Sequence, residues 1–232
     1  MNKKIIFIGT DTLHRRFFLS EISKVYDIKK IFFEEYKIIP SFDIKSKFDL
    51  DEKTFESKNF IIKGFEHLKD KIERVQRGHD QLVKDYIKNE KIDLAIIFGA
   101  AKLKSEVIDL LKDYALNIHR GIAEEYRGLD SNLWAVYHKD FNNIGVTLHK
   151  AIDILDKGDI YMQKKLIYPN NIKVYKMRYY ETILAKEMIL KFLSYYHNNN
   201  NVKFMKQCKE GRYYSFMPNC LKDTLNFKGY LN

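Results

Sequence analysis

Cysteine is scarce in this chain, the common glycine-rich nucleotide motifs are missing, and no apolar run is long. Each shortage removes a class of protein. The two cysteines, Cys208 and Cys220, match no metal-binding or redox spacing and read as reduced thiols. No G-x-G-x-x-G or Walker A pattern occurs, so no dinucleotide or P-loop fingerprint is present. No apolar stretch approaches the roughly 20 residues that cross a bilayer. Met1-Asn2-Lys3-Lys4 carries the charge of a signal peptide, but the apolar run after it stops at Ile8, and Asp11, His14, Arg15 and Arg16 follow. It reads as the first strand of a cytoplasmic protein. No internal repeat is visible.

What is there is charge and apolar mass. The 232 residues include 16 Tyr and 16 Phe, and the hydrophobic fraction is 45%. That supports one large domain, or one domain with a small appendage. Lys+Arg number 41 against 31 Asp+Glu, a net charge of +10. Such a balance suits nucleic acid, an anionic membrane or a phosphorylated small molecule. The charges are scattered rather than clustered, which disfavours nucleic acid and the reading of the chain as a basic binding module.

Strands alternate with helices along the chain. Lys4–Ile8 is a continuous apolar strand closed by Gly9-Thr10-Asp11, as expected in a parallel sheet covered on both faces. Asp11 or Thr12 caps a helix from Leu13, with Phe17, Phe18, Ile22 and Val25 as its buried stripe. A strand at Ile28–Glu34 and an irregular segment over 36–50 follow. The spacing of Phe55, Ile62, Phe65, Leu68 and Ile72 predicts that Asp51 to Glu90 is mostly helical, with Gly78 as a break. Strand Leu94–Phe98, helix Ser105–Leu111, strand Ala115–Ile118, loop 119–130, helix Ser131–His138, strand Gly145–Lys150, loop 151–158 and strand Asp159–Ile167 complete the alternation. Val174–Tyr196 reads as a long amphipathic helix and Asn198–Asn201 as a polar break. This pattern implies an α/β fold with βαβ units and a mostly parallel sheet, with ligands bound at the carboxyl ends of the strands. The domain expected is 1–198. The tail 199–232, with Val202–Met205 and Arg212–Phe216, is expected to form a hairpin that mediates a homodimer.

Three polar residues sit at the ends of apolar runs. Asn117 and His119 are two apart in an extended segment, so their side chains point the same way. An Asn N–H can donate to a developing oxyanion, a His can donate or shuttle a proton, and a carboxylate such as Asp156 can orient the His and stabilise its charged form. Taken singly, each has a plainer role as a turn cap, a strand-end histidine or a turn aspartate.

Their surroundings carry a resemblance. Leu116-Asn117-Ile118-His119, Tyr126-Arg127-Gly128, Trp134, Gly145-Val146-Thr147-Leu148-His149 and Leu155-Asp156-Lys157-Gly158-Asp159 occur in the order and rough spacing of the folate-dependent formyltransferases. The chain resembles that family from about Asp93 to Gln163. It departs from the pattern at Arg120-Gly121 and Ala123-Glu124-Glu125. The resemblance implies a Rossmann-like formyltransferase fold and places the catalytic Asn, His and Asp on Asn117, His119 and Asp156. It implies N10-formyltetrahydrofolate as donor, held by position at Phe98, Gly99 and Leu103 and at Ile152 and Leu155, with no metal. Among acceptors, the compact size is most similar to bacterial nucleotide-sugar N-formyltransferases. That implies a dTDP- or UDP-linked amino deoxysugar made for O-antigen or surface polysaccharide. The candidate acceptor contacts are Arg120, Arg127, Lys102 and Trp134, because guanidinium groups suit pyrophosphate oxygens. A glycinamide ribonucleotide-like amine acceptor or a formyltetrahydrofolate deformylase is the alternative.

Overall fold

A computed structural model describes residues 3–199 and 201–230. Met1, Asn2 and Asn200, on which the readings of the chain start and of the polar break partly fall, lie outside the described residues, as do Leu231 and Asn232. The elements in chain order are β1 (Ile5–Thr10), α1 (Leu13–Ser23), β2 (Ile28–Glu34), α2 (Asp49–Asn59), β3 (Ile72–Val75), α3 (Gln81–Glu90), β4 (Leu94–Phe98), α4 (Ser105–Ile108), β5 (Tyr114–His119), β6 (Tyr126–Gly128), α5 (Ser131–Tyr137), β7 (Gly145–Lys150), β8 (Ile160–Lys165), α6 (Met177–Asn198), β9 (Arg212–Tyr214) and α7 (Asn219–Lys222).

Seven strands form one sheet in the order β3-β2-β1-β4-β5-β7-β8. The first five are parallel, and β7 and β8 are antiparallel additions at one side. The apolar runs explain the centre. In β1, Ile5 and Phe7 pack with Phe18 and Ile22 of α1 and Ile189 and Phe192 of α6. Ile6 and Ile8 face the other way, onto Val83 and Ile87 of α3 and Val107 of α4. Period-two alternation thus feeds two cores, one on each face of the sheet. A third cluster gathers Tyr126, Ala135, Val136, Tyr168 and Met177, with Phe227 and Tyr230 of the tail packed against it.

Several expectations are corrected. The 51–90 stretch is not one mostly helical block. Gly64 adopts φ 72°, Glu66–Lys71 forms a 3-10 turn, and Ile72 opens an edge strand that pairs in parallel with β2 at Ile31. The helix-like spacing across Ile62–Ile72 came from residues in three different conformations. Val25 lies beyond α1 and is 65% exposed. Asp11 and Thr12 make no side-chain cap, since Asp11 is taken by Arg16 and Arg74. Loop 119–130 contains β6. Most consequentially, the two tail segments do not pair with each other as a hairpin. β9 pairs with β6, and Met205 bridges Ile160 of β8. The tail is built into the body of the protein.

Candidate active site

β1, β4 and β5 end together. Thr10, Phe98-Gly99 and His119 stand at the carboxyl ends of these parallel strands and line one cavity of about 730 Å3. β1 lies between β2 and β4, so the strand order reverses there, which opens a crevice in sheets of this kind.

The antiparallel register of β5 and β7 sets Asn117 opposite His149 and His119 opposite Thr147. Asp156 comes from the turn between β7 and β8 in left-handed backbone, φ 53°, which Asp tolerates better than most residues. Its buried carboxylate is the hub of the cluster. Oδ2 accepts the Gly128 N–H at 2.8 Å and faces His119 Nδ1 at 3.3 Å. Oδ1 accepts from Asn117 Nδ2 at 3.2 Å and faces His149 Nε2 at 3.3 Å.

The partner atoms assign the protons. His149 Nδ1 lies 2.7 Å from the Lys150 carbonyl, which only accepts, so Nδ1 carries the hydrogen. His149 Nε2 is then free to accept from Asn117 Nδ2 at 3.0 Å. Both hydrogens of the Asn117 amide are thereby occupied, one by Asp156 and one by His149. His119 Nε2 donates to the Tyr126 carbonyl at 2.8 Å. A proton gained by His119 therefore sits at Nδ1, against Asp156.

Burial pulls the His119 pKa below the ordinary imidazole value, opposed by Asp156 and by the Tyr126 carbonyl. Burial alone would raise Asp156, but the attraction of a charged His119 and the Gly128 N–H hold it well below the usual carboxylate range. The site thus sets a buried carboxylate against the one free nitrogen of an imidazole at 3.3 Å, an arrangement suited to receiving and releasing a proton.

The expected folate-side residues share this cavity. Phe98 and Leu103 are buried in its wall, Gly99 turns the chain at φ 64°, and Ile152 and Leu155 are half-exposed at its mouth. Lys102 lines the cavity and pairs with Asp153 at 2.8 Å. Arg120 lines it and reaches Glu181 at 3.5 Å. Two acceptor candidates are elsewhere. Arg127 is buried outside the lining, with Nε donating to the Gly211 carbonyl at 2.7 Å and Nη2 to Glu210 at 3.1 Å. Trp134 is also outside it, donating to the Ser215 carbonyl at 3.0 Å and stacking on Tyr214. Both expectations are corrected: these residues fasten the tail.

Other residues lie outside the expected site set. His149 belongs to the cluster, and its signals in the sequence are the Gly145–His149 motif and its place on the strand leading to Asp156. The tail brings Tyr213, Phe216 and Lys222 to the cavity wall. Gln207 Nε2 donates to the Asp156 carbonyl at 2.8 Å and the Gly158 carbonyl at 2.9 Å, clasping the turn that holds the hub. Arg178 binds Glu56 at 2.6 Å and Glu52 at 2.9 Å, and burial pushes the Glu52 carboxyl up to about 7 against the pull of Arg178. Among the described residues, no group of three or more His, Cys, Asp or Glu is arranged to hold a metal ion.

The chain matches the formyl transferase family over residues 42–182. A methionyl-tRNA formyltransferase of Fusobacterium nucleatum subsp. nucleatum is 28% identical over 165 residues, covering 70% of this chain and 48% of that protein. The chain thus spans about half the length of this curated relative. Among solved structures, a 4-N formyltransferase from Francisella tularensis is similar at a TM-score of 0.63 and 18% identity, covering 93% of this chain and 77% of the other. The formyltransferase PseJ from Anoxybacillus kamchatkensis, in complex with UDP-4,6-dideoxy-4-formamido-L-AltNAc and tetrahydrofolate, is similar at 0.58 and 18%, covering 91% and 85%. These two likenesses show a common fold, and the sequence match spans more than half of the chain. The chain belongs to the formyl transferase family.

Proposed function

We propose that this protein moves a formyl group from N10-formyltetrahydrofolate to the amine of a nucleotide-linked sugar. The observation that carries the proposal is the cluster of Asn117 with the buried His119 and Asp156 in the wall of one cavity. The apolar slot beside it, lined by Phe98, Leu103, Ile152 and Leu155 with backbone polar groups at hand, suits a flat heterocycle. The complex of PseJ with a UDP-sugar and tetrahydrofolate supports the choice of donor and acceptor by analogy.

In this reading the amine nitrogen bonds the formyl carbon, and the carbon–nitrogen bond to the folate then breaks. The formyl oxygen competes with His149 for one hydrogen of the Asn117 amide as negative charge develops on it. The proton leaving the amine is taken by Asp156 or His119 and returned to the folate nitrogen. The catalytic unit is proposed to be residues 1–198, with 199–232 as a strap that completes the cavity wall, since Tyr213, Phe216 and Lys222 line it.

The test is incubation of the full chain with N10-formyltetrahydrofolate and a panel of UDP- and dTDP-linked amino sugars, glycinamide ribonucleotide, or no acceptor. Mass spectrometry reads the products. A formamido sugar formed in equal amount with tetrahydrofolate supports the proposal. Formate release that needs no acceptor would make the protein a hydrolase, and formylation of glycinamide ribonucleotide alone would move it to another acceptor class.

A further inference from the structure

Arg120 and Glu181 line the cavity but take no part in the cluster around Asp156. Arg120 follows His119 directly, and that step is where the sequence leaves the family pattern. Consecutive Cα atoms stand about 3.8 Å apart, so Arg120 serves the part of a ligand near the reacting amine rather than its far end. Glu181 comes from α6 and is 4% exposed. Its Oε1 accepts from Asn132 Nδ2 at 2.8 Å, and the Asn132 amide is itself tied to the Gly145 N–H and carbonyl, each at 3.0 Å. The carboxylate is thus held in one orientation by a buried network anchored on β7.

Its second oxygen is poorly served. Among the described residues, Oε2 has one hydrogen-bonding partner, Arg120 Nη1, at 3.5 Å. Guanidinium and carboxylate close to about 2.7–2.9 Å where nothing holds them apart. One turn earlier on the same helix they do so: Arg178 meets Glu56 at 2.6 Å and Glu52 at 2.9 Å. Arg178 is satisfied by its own acids, whereas the Arg120–Glu181 pair stays open. Burial pushes the Glu181 carboxyl up, while Arg120, the Asn132 amide and Arg178 pull it back. A buried acceptor with only a long contact gains most from a further donor.

A fixed acceptor beside a donor defines the group that fits. A hydroxyl gives its hydrogen to Glu181 and takes one from Arg120, and an acylamino group does the same with its N–H and its carbonyl. A carboxylate would satisfy Arg120 but face the Glu181 anion. A bare C–H would leave both charged groups stripped of water without a partner. We propose that Arg120 and Glu181 read a neutral hydroxyl or acylamino substituent next to the amine of the acceptor, and so select which amino sugar is formylated. This rests on the formyl-transfer reading, and the experiment separates the two substituents.

Initial rates with saturating N10-formyltetrahydrofolate are measured on the full chain, Arg120→Met and Glu181→Gln. The acceptors are UDP-linked amino sugars that carry a hydroxyl, an acetamido group, a carboxylate or hydrogen alone on the carbon beside the amine. Wild type favours the hydroxyl or the acetamido sugar over the one with hydrogen alone by roughly ten- to a hundredfold in kcat/KM, as when hydrogen bonds to charged groups are lost, and disfavours the carboxylate. The better of the two identifies the substituent. Arg120→Met brings that preference to within fivefold. Glu181→Gln, with the anion gone, raises the carboxylate sugar at least fivefold relative to the others. Calorimetric UDP affinity stays within threefold in both variants. The inference is overturned if wild type treats the four sugars alike within fivefold, if a folded Arg120→Met keeps the wild-type preference, if a folded Glu181→Gln disfavours the carboxylate as before, or if the loss in Arg120→Met falls on UDP. Should Glu181→Gln not fold, the half-buried Arg120 decides alone through Arg120→Met. If wild type formylates no amino sugar, the acceptor reading fails and takes this inference with it. Transfer without discrimination sinks the inference and leaves that reading standing.

Discussion

Replacing Asp156 by Asn tests the hub of the cluster with little change in shape. Asn accepts left-handed backbone at least as readily as Asp, so φ 53° imposes no new strain. The carboxylate now presents an oxygen to the Gly128 N–H at 2.8 Å and another to Asn117 Nδ2 at 3.2 Å. An amide has one oxygen. If it stays on Gly128, the new NH2 faces the Asn117 NH2, and two donors oppose each other. His119 also loses the anion 3.3 Å from its Nδ1. Losing a hydrogen bond to a charged group costs about 1.5–3 kcal/mol, which at about 2–4 °C per kcal/mol lowers Tm by roughly 3–12 °C. The effect on turnover is larger, because Asn117 is displaced, one proton acceptor is gone and the other, His119, loses the anion that stabilises its charge. The expected fall is at least about a hundredfold in kcat, with tetrahydrofolate affinity within a few-fold. Single-turnover release of tetrahydrofolate, measured beside calorimetric binding, reads both. A kcat within tenfold of wild type in a folded Asp156→Asn would refute the placement of Asp156 at the centre of the chemistry.

Four further outcomes follow from particular contacts. His149→Ala frees the Asn117 amide from its register partner and lowers kcat about tenfold while leaving folate binding unchanged; pre-steady-state kinetics checks it. Gln207→Ala removes two clasps on the Asp156 turn, costing about 1–2 kcal/mol of stability, with kcat affected more than KM. Arg127→Met leaves the Glu210 and Gly211 oxygens of the tail without their donor; Tm falls by several degrees, while diphosphate affinity in the folded variant stays within a few-fold. Burial places the folded pKa of His119 below 6.5, so the unfolded chain binds the extra proton first and stability declines as pH falls below about 6.5. His119→Gln should flatten that decline in pH-dependent melting curves.

The central strands were legible because β1 and β4 are apolar runs, and β2 carries Ile31-Phe32-Phe33, whose bulk must be buried on both faces. β3 was not, because Ile72-Glu73-Arg74-Val75 is a charged edge strand whose partner is distant in the chain. β6 and β9 span Tyr126–Gly128 and Arg212–Tyr214, too short for any periodicity to show. In the site, the shared face of Asn117 and His119 follows from strand geometry, and their meeting with Asp156 follows from the order of motifs. Arg127 and Trp134 were misassigned because what they touch, Gly211 and Ser215, lies in the tail. Glu181 was invisible for a related reason: what orients it, Asn132 on α5, lies far back in the chain, and no local pattern reports that contact.

The most direct measurement is single-turnover formyl transfer by wild type, Asn117→Ala and His119→Ala, with each variant shown to be folded by its melting curve. The account predicts tetrahydrofolate and formamido sugar from wild type at equal rates, with each variant slower by roughly a hundredfold or more. Turnover within a few-fold of wild type in both variants would contradict it.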